Sequence, residues 1–141
     1  MTKTIYISGP ITDLSTGQPR EGWQQDFLDA EEKLRRMGFN VINPVDIATG
    51  VESVIMQPTR ADYIMACLRR MNIKSKEGLL HGVYVIGGHM EALMSHGVQM
   101  ELLLAEVLSI PIYSECENNL RIDKTLTPME NHETISKLLN E

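Results

Sequence analysis

Two short stretches of this sequence hold residue types whose spacing could do chemistry. They are Ser8-Gly9-Pro10-Ile11-Thr12 and Ser95-His96-Gly97-Val98-Gln99-Met100-Glu101. In the second, Ser95 has the type and place of a helix N-cap. The backbone N–H groups that follow it would stay free, and the positive end of the helix dipole would face whatever lies in front, which suits an anion. Glu101 comes further along the same predicted helix. Its neighbours one turn either way are Gly97, Val98, Leu104 and Ala105, a small or apolar face on which a carboxylate is costly without a partner or a task. The task could be catalytic; the plainer alternative is a glutamate that reaches the surface or pairs with an arginine. In the first stretch, glycine lets a ligand approach the backbone and proline stiffens the turn, although Gly-Pro after a strand also serves as an ordinary turn.

Both stretches follow strand-like runs. Ile5 to Ser8, Val83 to Ile86 and Ile110 to Tyr113 are apolar and β-branched, as buried parallel strands are, and Phe39 to Ile42 is a shorter run of the same kind. Helical patterns separate them. Trp23, Phe27, Ala30, Leu34 and Met37 recur at steps of three and four, with Gly38 placed to close the helix. Arg60 to Lys76 reads as a second helix. Ser95 to Leu108 reads as a third, apolar on most sides and therefore expected to be well buried. Thr127 as N-cap, Pro128 at the first helical position and Glu130 three residues after the cap predict a last helix to about Leu139. Val45 to Pro58 has no clear period and is a candidate lid or interface loop; Ser114 to Leu126 is polar and equally open. Strands alternating with helices predict one α/β domain over the whole chain. It would hold a flavodoxin- or Rossmann-like parallel sheet of four to five strands with helices on both faces. Ligands bind such sheets beyond the carboxyl ends of the strands where strand order reverses, so the loops after the first and third strands matter most.

Composition narrows the function classes. A chain of 141 residues is the size of one domain, and no apolar run approaches the length of a membrane span. Met1-Thr2-Lys3 runs directly into the first strand, which leaves no room for a signal peptide and predicts a cytoplasmic protein. Cys67 and Cys116 lack metal-ligand spacing, and the net charge of −6 gives no electrostatic footprint for polymeric nucleic acid. A single phosphate on a small molecule needs no basic protein, since a helix N-terminus and a few donors can hold it.

Taken together, these residues resemble the nucleoside 2-deoxyribosyltransferase superfamily, including its branch of deoxynucleoside 5-monophosphate N-glycosidases. The resemblance runs from about Lys3 to Tyr113: a strand with tyrosine, a Gly-rich turn, a helix ending in glycine, a strand with proline, then Ser-x-Gly-x-x-x-Glu leading to Ala105 and Pro111. It implies Glu101 as nucleophile, Tyr6 as the residue that orients its carboxylate by a hydrogen bond, and Gly9, Pro10, Ile11 and Thr12 as the lining of the sugar and phosphate pocket. Ser95, with His96 and Gly97, would meet the substrate at the helix start. Where transferases acting on free nucleosides tend to have aspartate, six residues before the glutamate, this chain has Ser95, as the monophosphate hydrolases tend to. A hydroxyl also suits a phosphate there better than a carboxylate would.

The chain departs from the pattern in places. Trp23 stands where the family often has asparagine, and approximately Asn72 and His81-Gly82 stand where it has acidic residues. Gly88 to Met94 lengthens the loop over the site. General acid help for the leaving base is thus unassigned, with His89, Glu91 and His96 as candidates by position. The reaction implied is double displacement at the anomeric carbon of a 2-deoxynucleoside or its 5-monophosphate, with no metal and no organic cofactor. The implied partners are a small-molecule nucleoside or nucleotide and a second copy of the chain, since the family commonly completes its pocket across a subunit interface. Two rival readings are a nucleotide or sugar-nucleotide binding module that kept the fold without turnover, and a structural subunit in which Glu101 is only an ion-pair partner.

Overall fold

The computed structural model describes residues 2–13, 15–86 and 95–114. Four strands, β1 (Thr4–Ser8), β2 (Asn40–Ile42), β3 (Gly82–Val85) and β4 (Ile112–Ser114), form one parallel sheet in the order β2-β1-β3-β4. Tyr6 lies opposite Ile42 on one side and Val83 on the other, and Val83 opposite Ile112. The chain goes outward from β1 to β2 and then back past it to β3, so strand order reverses between the two central strands. This is the flavodoxin-like order of a small α/β protein.

Side chains that alternate along β1 divide the core between the two sheet faces. Ile5 and Ile7 pack with Phe27, Ala30 and Leu34 of α1 (Trp23–Arg36), together with Tyr84, Ile86 and Tyr113. Tyr6, Val83 and Val85 face the other way, onto Met71 of α3 (Arg60–Lys76) and Val98 and Ala105 of α4 (His96–Val107). Helices therefore cover both faces. The expected three- and four-residue steps hold in α1, where Trp23, Phe27, Ala30 and Leu34 are the buried residues. Gly38 ends it at φ 96, with Gly38 N–H donating to Arg35 O and Phe39 N–H to Leu34 O. In α3, Thr59 and Asp62 cap each other's backbone, fixing the start where the sequence places it.

Two expectations need correction. The stretch from Val45 to Pro58 is not a lid or interface loop for most of its length: α2 (Pro44–Val54) occupies it and buries Pro44, Ile47, Ala48 and Val51. Asn43, 2% exposed, caps it by accepting from Val45 N–H at 3.0 Å, and its amide also donates to Phe27 O and Glu31. Nor is α4 buried on most sides. It buries Val98, Glu101 and Ala105 and leaves Met100, Leu103 and Val107 exposed, because one sheet face covers only one stripe of a helix. The predicted helix from Thr127, the residues 115–126 and the loop residues His89 and Glu91 lie outside the described residues.

Candidate active site

Beyond the carboxyl ends of β1 and β3, at the point of strand-order reversal, lies a cavity of about 570 Å3. Seven of the residues singled out in the sequence line it: Tyr6, Gly9, Ile11, Thr12, Ser95, Gly97 and Glu101. Pro10 and His96 do not. Pro10 is buried behind the turn, where its carbonyl accepts from Arg20 Nη2 at 2.7 Å. His96, the first residue of α4, is exposed and is not among the described residues that line the cavity.

Glu101 is 7% exposed, one turn and a half into α4. Ser8 Oγ donates to its Oε1 at 3.2 Å, and its Oε2 has no hydrogen-bond partner among the described residues. Burial pushes the carboxyl up to about 7, against the nearby Tyr6 and Ser8 hydroxyls, which favour its ionised form. Tyr6 is close enough to act on Glu101 in this way, yet its hydroxyl makes no bond of ordinary hydrogen-bond geometry. Ser8, two residues on along the same strand face, supplies the hydrogen bond of ordinary geometry to the carboxylate, beside the Tyr6 hydroxyl. Burial first, and the Glu101 charge second, push Tyr6 well above its usual value; the same two causes take the Cys67 thiol up to about 12. Glu101 is thus the one member of this buried cluster whose charge changes near neutral pH.

The start of α4 faces the same space. Ser95 Oγ accepts from Val98 N–H at 3.3 Å as the expected N-cap, and the first N–H groups of the helix, those of His96 and Gly97, have no acceptor within it. A Cβ on Gly97 would meet nothing nearer than Ile64 Cγ1 at 3.8 Å, so packing does not demand glycine there; its missing side chain leaves the helix start open to the cavity. Gly9 is the reverse case. A Cβ there would sit 2.5 Å from Ile86 Cγ1 and 3.1 Å from Phe27 Cζ, so close packing of the first turn on β3 and α1 fixes this glycine.

Several cavity residues carry no motif. Arg60, Tyr63, Ile64 and Cys67 line it from one stripe of α3, and their spacing of three, four and seven is the signal by which the sequence could have shown them. Glu52 at the rim accepts from Tyr63 Oη at 3.1 Å. Trp23, 9% exposed, and Gln24 enter from the start of α1. Among the described residues no group of three or more His, Cys, Asp or Glu could hold a metal ion, and no helix is long and apolar enough to cross a membrane.

The fold and cavity define a small α/β protein with a ligand-sized site at the switch point of a four-stranded parallel sheet. Residues 3–114 match the model of a family described as a domain of unknown function, DUF4406, and the chain belongs to that family. No curated protein and no solved structure matches it.

Proposed function

We propose that this cavity cleaves or exchanges the N-glycosidic bond of a 2-deoxynucleoside or its 5-monophosphate, with Glu101 as nucleophile. An ionised Glu101 oxygen attacks the anomeric carbon. The carbon–nitrogen bond breaks, its electron pair leaves on the base nitrogen, and that nitrogen takes up a proton from water, which is restored when the attacking water or second base gives up its own proton. The glycosyl ester of Glu101 then persists until water or a second base displaces the carboxylate. The observation that carries this reading is the Glu101 carboxylate itself: 7% exposed, held through one oxygen by Ser8, unpartnered at the other, and lining the cavity. A glutamate kept ionised at this depth for structure alone would need a cation, and none pairs with it among the described residues. Ser95 and the open start of α4 favour a 5-monophosphate over the free nucleoside, by supplying a hydroxyl and free N–H groups without an added negative charge.

The test is incubation of the wild type and of Glu101→Ala with a panel of 2-deoxynucleosides and their monophosphates, followed by chromatography for free base. Wild-type release that falls by several orders of magnitude in the variant, with circular dichroism unchanged, supports the nucleophile. Absence of release from every substrate, or full activity of the variant, refutes it.

A binding module remains the second reading. With its pKa raised to about 7, Glu101 is partly neutral at physiological pH and able to donate to a bound nucleotide without attacking it. Saturable nucleotide binding without base release would select that reading. A homodimer or larger assembly belongs with either, since Met100, Leu103 and Val107 form an exposed apolar strip on α4. Light scattering at micromolar concentration should give at least twice the chain mass of 15.9 kDa.

A further inference from the structure

The two sides of the cavity come from opposite faces of the sheet. Glu101 enters from the α4 face, with Val98 and Ala105 of its own helix and Tyr6 of β1 in the cluster beneath it. Trp23 enters from the α1 face, in the cluster of Ile5, Ile7 and Phe27. Displacement at a carbon centre requires the attacking and departing atoms to lie on opposite sides of it, in line. A sugar attacked by Glu101 therefore sends its leaving group toward the α1 side.

The chemistry of that side fits the role. It is built by Thr12, Gly17, Gln18, Pro19, Trp23 and Gln24, none of them charged, whereas Glu52, Arg60 and Glu101, the charged lining residues among those described, lie on α2, α3 and α4. The backbone holds this wall in place: Thr12 and Pro19 form an antiparallel bridge, and Asp13 N–H donates to Gln18 O at 2.7 Å. The indole is set edge-on to Phe27 at 5.5 Å and 87°, its one ring contact, and its N–H has no acceptor among the described residues. An apolar ring surface, an unused donor and two primary amides together suit a neutral, flat heterocycle with polar edges, and offer no cation to a phosphate.

We propose that this wall, with Trp23 at its centre, is the subsite for the departing nucleobase, so that Trp23 is a specificity-determining residue of the N-glycosidic reaction. The proposal rests on the reading of Glu101 as nucleophile and sets the orientation of the substrate within it: base toward α1, anomeric carbon between, carboxylate behind.

Trp23 is the chain's single tryptophan, so its emission reports this wall alone. Glu101→Gln, which should bind without turnover, is titrated with each of the four common 2-deoxynucleoside 5-monophosphates and with 2-deoxyribose 5-phosphate. Excitation is at the red edge of indole absorption, where the bases do not absorb. The expected result is a saturable change in emission with nucleotides and none with the sugar phosphate, although the sugar phosphate competes with them for the site. Equal responses to both, or a nucleotide that binds by calorimetry without changing the emission, overturn the assignment. In the wild type, Trp23→Leu should raise KM for the nucleotide roughly five- to one-hundred-fold, with kcat and inhibition by the sugar phosphate little changed, and Trp23→Phe should keep most of the affinity. Should the leucine variant fail to fold, the titration needs no substitution at Trp23. Base release by the wild type without a base-dependent signal refutes the Trp23 subsite alone. A base-dependent signal without base release supports the subsite and refutes the nucleophile; neither binding nor release refutes both.

Discussion

Replacing Glu101 by glutamine should make the protein more stable, and by an amount that depends on pH. Glutamine keeps the volume and can still accept from Ser8, but it carries no charge to desolvate. In the folded chain the Glu101 carboxyl titrates at about 7, against an ordinary value of 4.5. The fold thus favours the protonated form. Below about pH 4.5 the carboxyl is neutral in both folded and unfolded chains, and the wild type bears no penalty. As the pH rises from 4.5 through about 7 the unfolded chain releases its proton first, and stability is lost until the folded carboxyl ionises too. At about 1.4 kcal/mol per pH unit, the interval from 4.5 to about 7 amounts to about 3 kcal/mol. Urea unfolding of the two proteins should therefore nearly coincide at low pH. Near pH 8.5 the midpoint of Glu101→Gln should lie roughly 1 to 3 M higher, for a slope of about 1 to 3 kcal/mol/M. Other titrating groups are common to both chains and cancel in the difference. Parallel stability curves across this range would show that Glu101 is not held in a costly ionised state, and the reasoning about its burial would fail.

The same ionisation should govern rate: with an uncharged 2-deoxynucleoside as substrate, kcat/KM for base release should rise with pH and level off above about 7. A profile flat from pH 5 to 8 would contradict a nucleophile that titrates there. Gly9→Ala places a Cβ 2.5 Å from Ile86 Cγ1 and should cost about 1 to 3 kcal/mol in urea unfolding, and much less when introduced into an Ile86→Ala background. Additive losses would refute the contact. Ser95→Ala removes the α4 cap and should cost about 1 kcal/mol of stability. It should also weaken monophosphates by about 0.5 to 3 kcal/mol, measured as KM, while leaving free nucleosides almost unchanged; equal losses on both would refute a phosphate role.

The elements with a strong period and a clear stop were legible in the sequence. The α1 stripe from Trp23 to Leu34, its closing Gly38, and α3 from Arg60 to Lys76 stand where the pattern puts them. So do the four strands to within two residues at each end, because buried parallel strands read as unbroken apolar runs. The helix α2 was not read, although Asn43-Pro44 is an N-cap followed by proline at the first helical position. Gly50 inside it and the weak contrast between its faces hid the period. At the site, Glu101, Ser95 and the turn after β1 were visible because glycine, a cap residue and an isolated carboxylate carry local signals. Ser8 was overlooked as a partner of Glu101, since the contact spans the distance from β1 to α4 and depends on which way β1 faces. Parity along the strand was the available clue: whatever Tyr6 faces, Ser8 faces as well.

A raised pKa lowers the ionised fraction at pH 7, which by itself counts against a nucleophile. The cost belongs to the free protein only. In the displacement proposed here the anomeric carbon gains positive charge as the carbon–nitrogen bond lengthens, and that charge develops beside the Glu101 oxygen that has no partner among the described residues. The low effective dielectric that penalises a lone carboxylate also strengthens its attraction to a neighbouring positive centre. Burial therefore raises the energy of the ionised free protein and lowers that of the transition state relative to it, which is the differential on which catalysis depends. A fixed cation beside Glu101 would remove the penalty and the advantage together. The lone hydroxyl of Ser8 orients one oxygen and leaves the other available. An arginine introduced at Cys67, which lines the cavity and lies within electrostatic reach of Glu101, should for the same reason lower the carboxyl's pKa and slow base release rather than speed it.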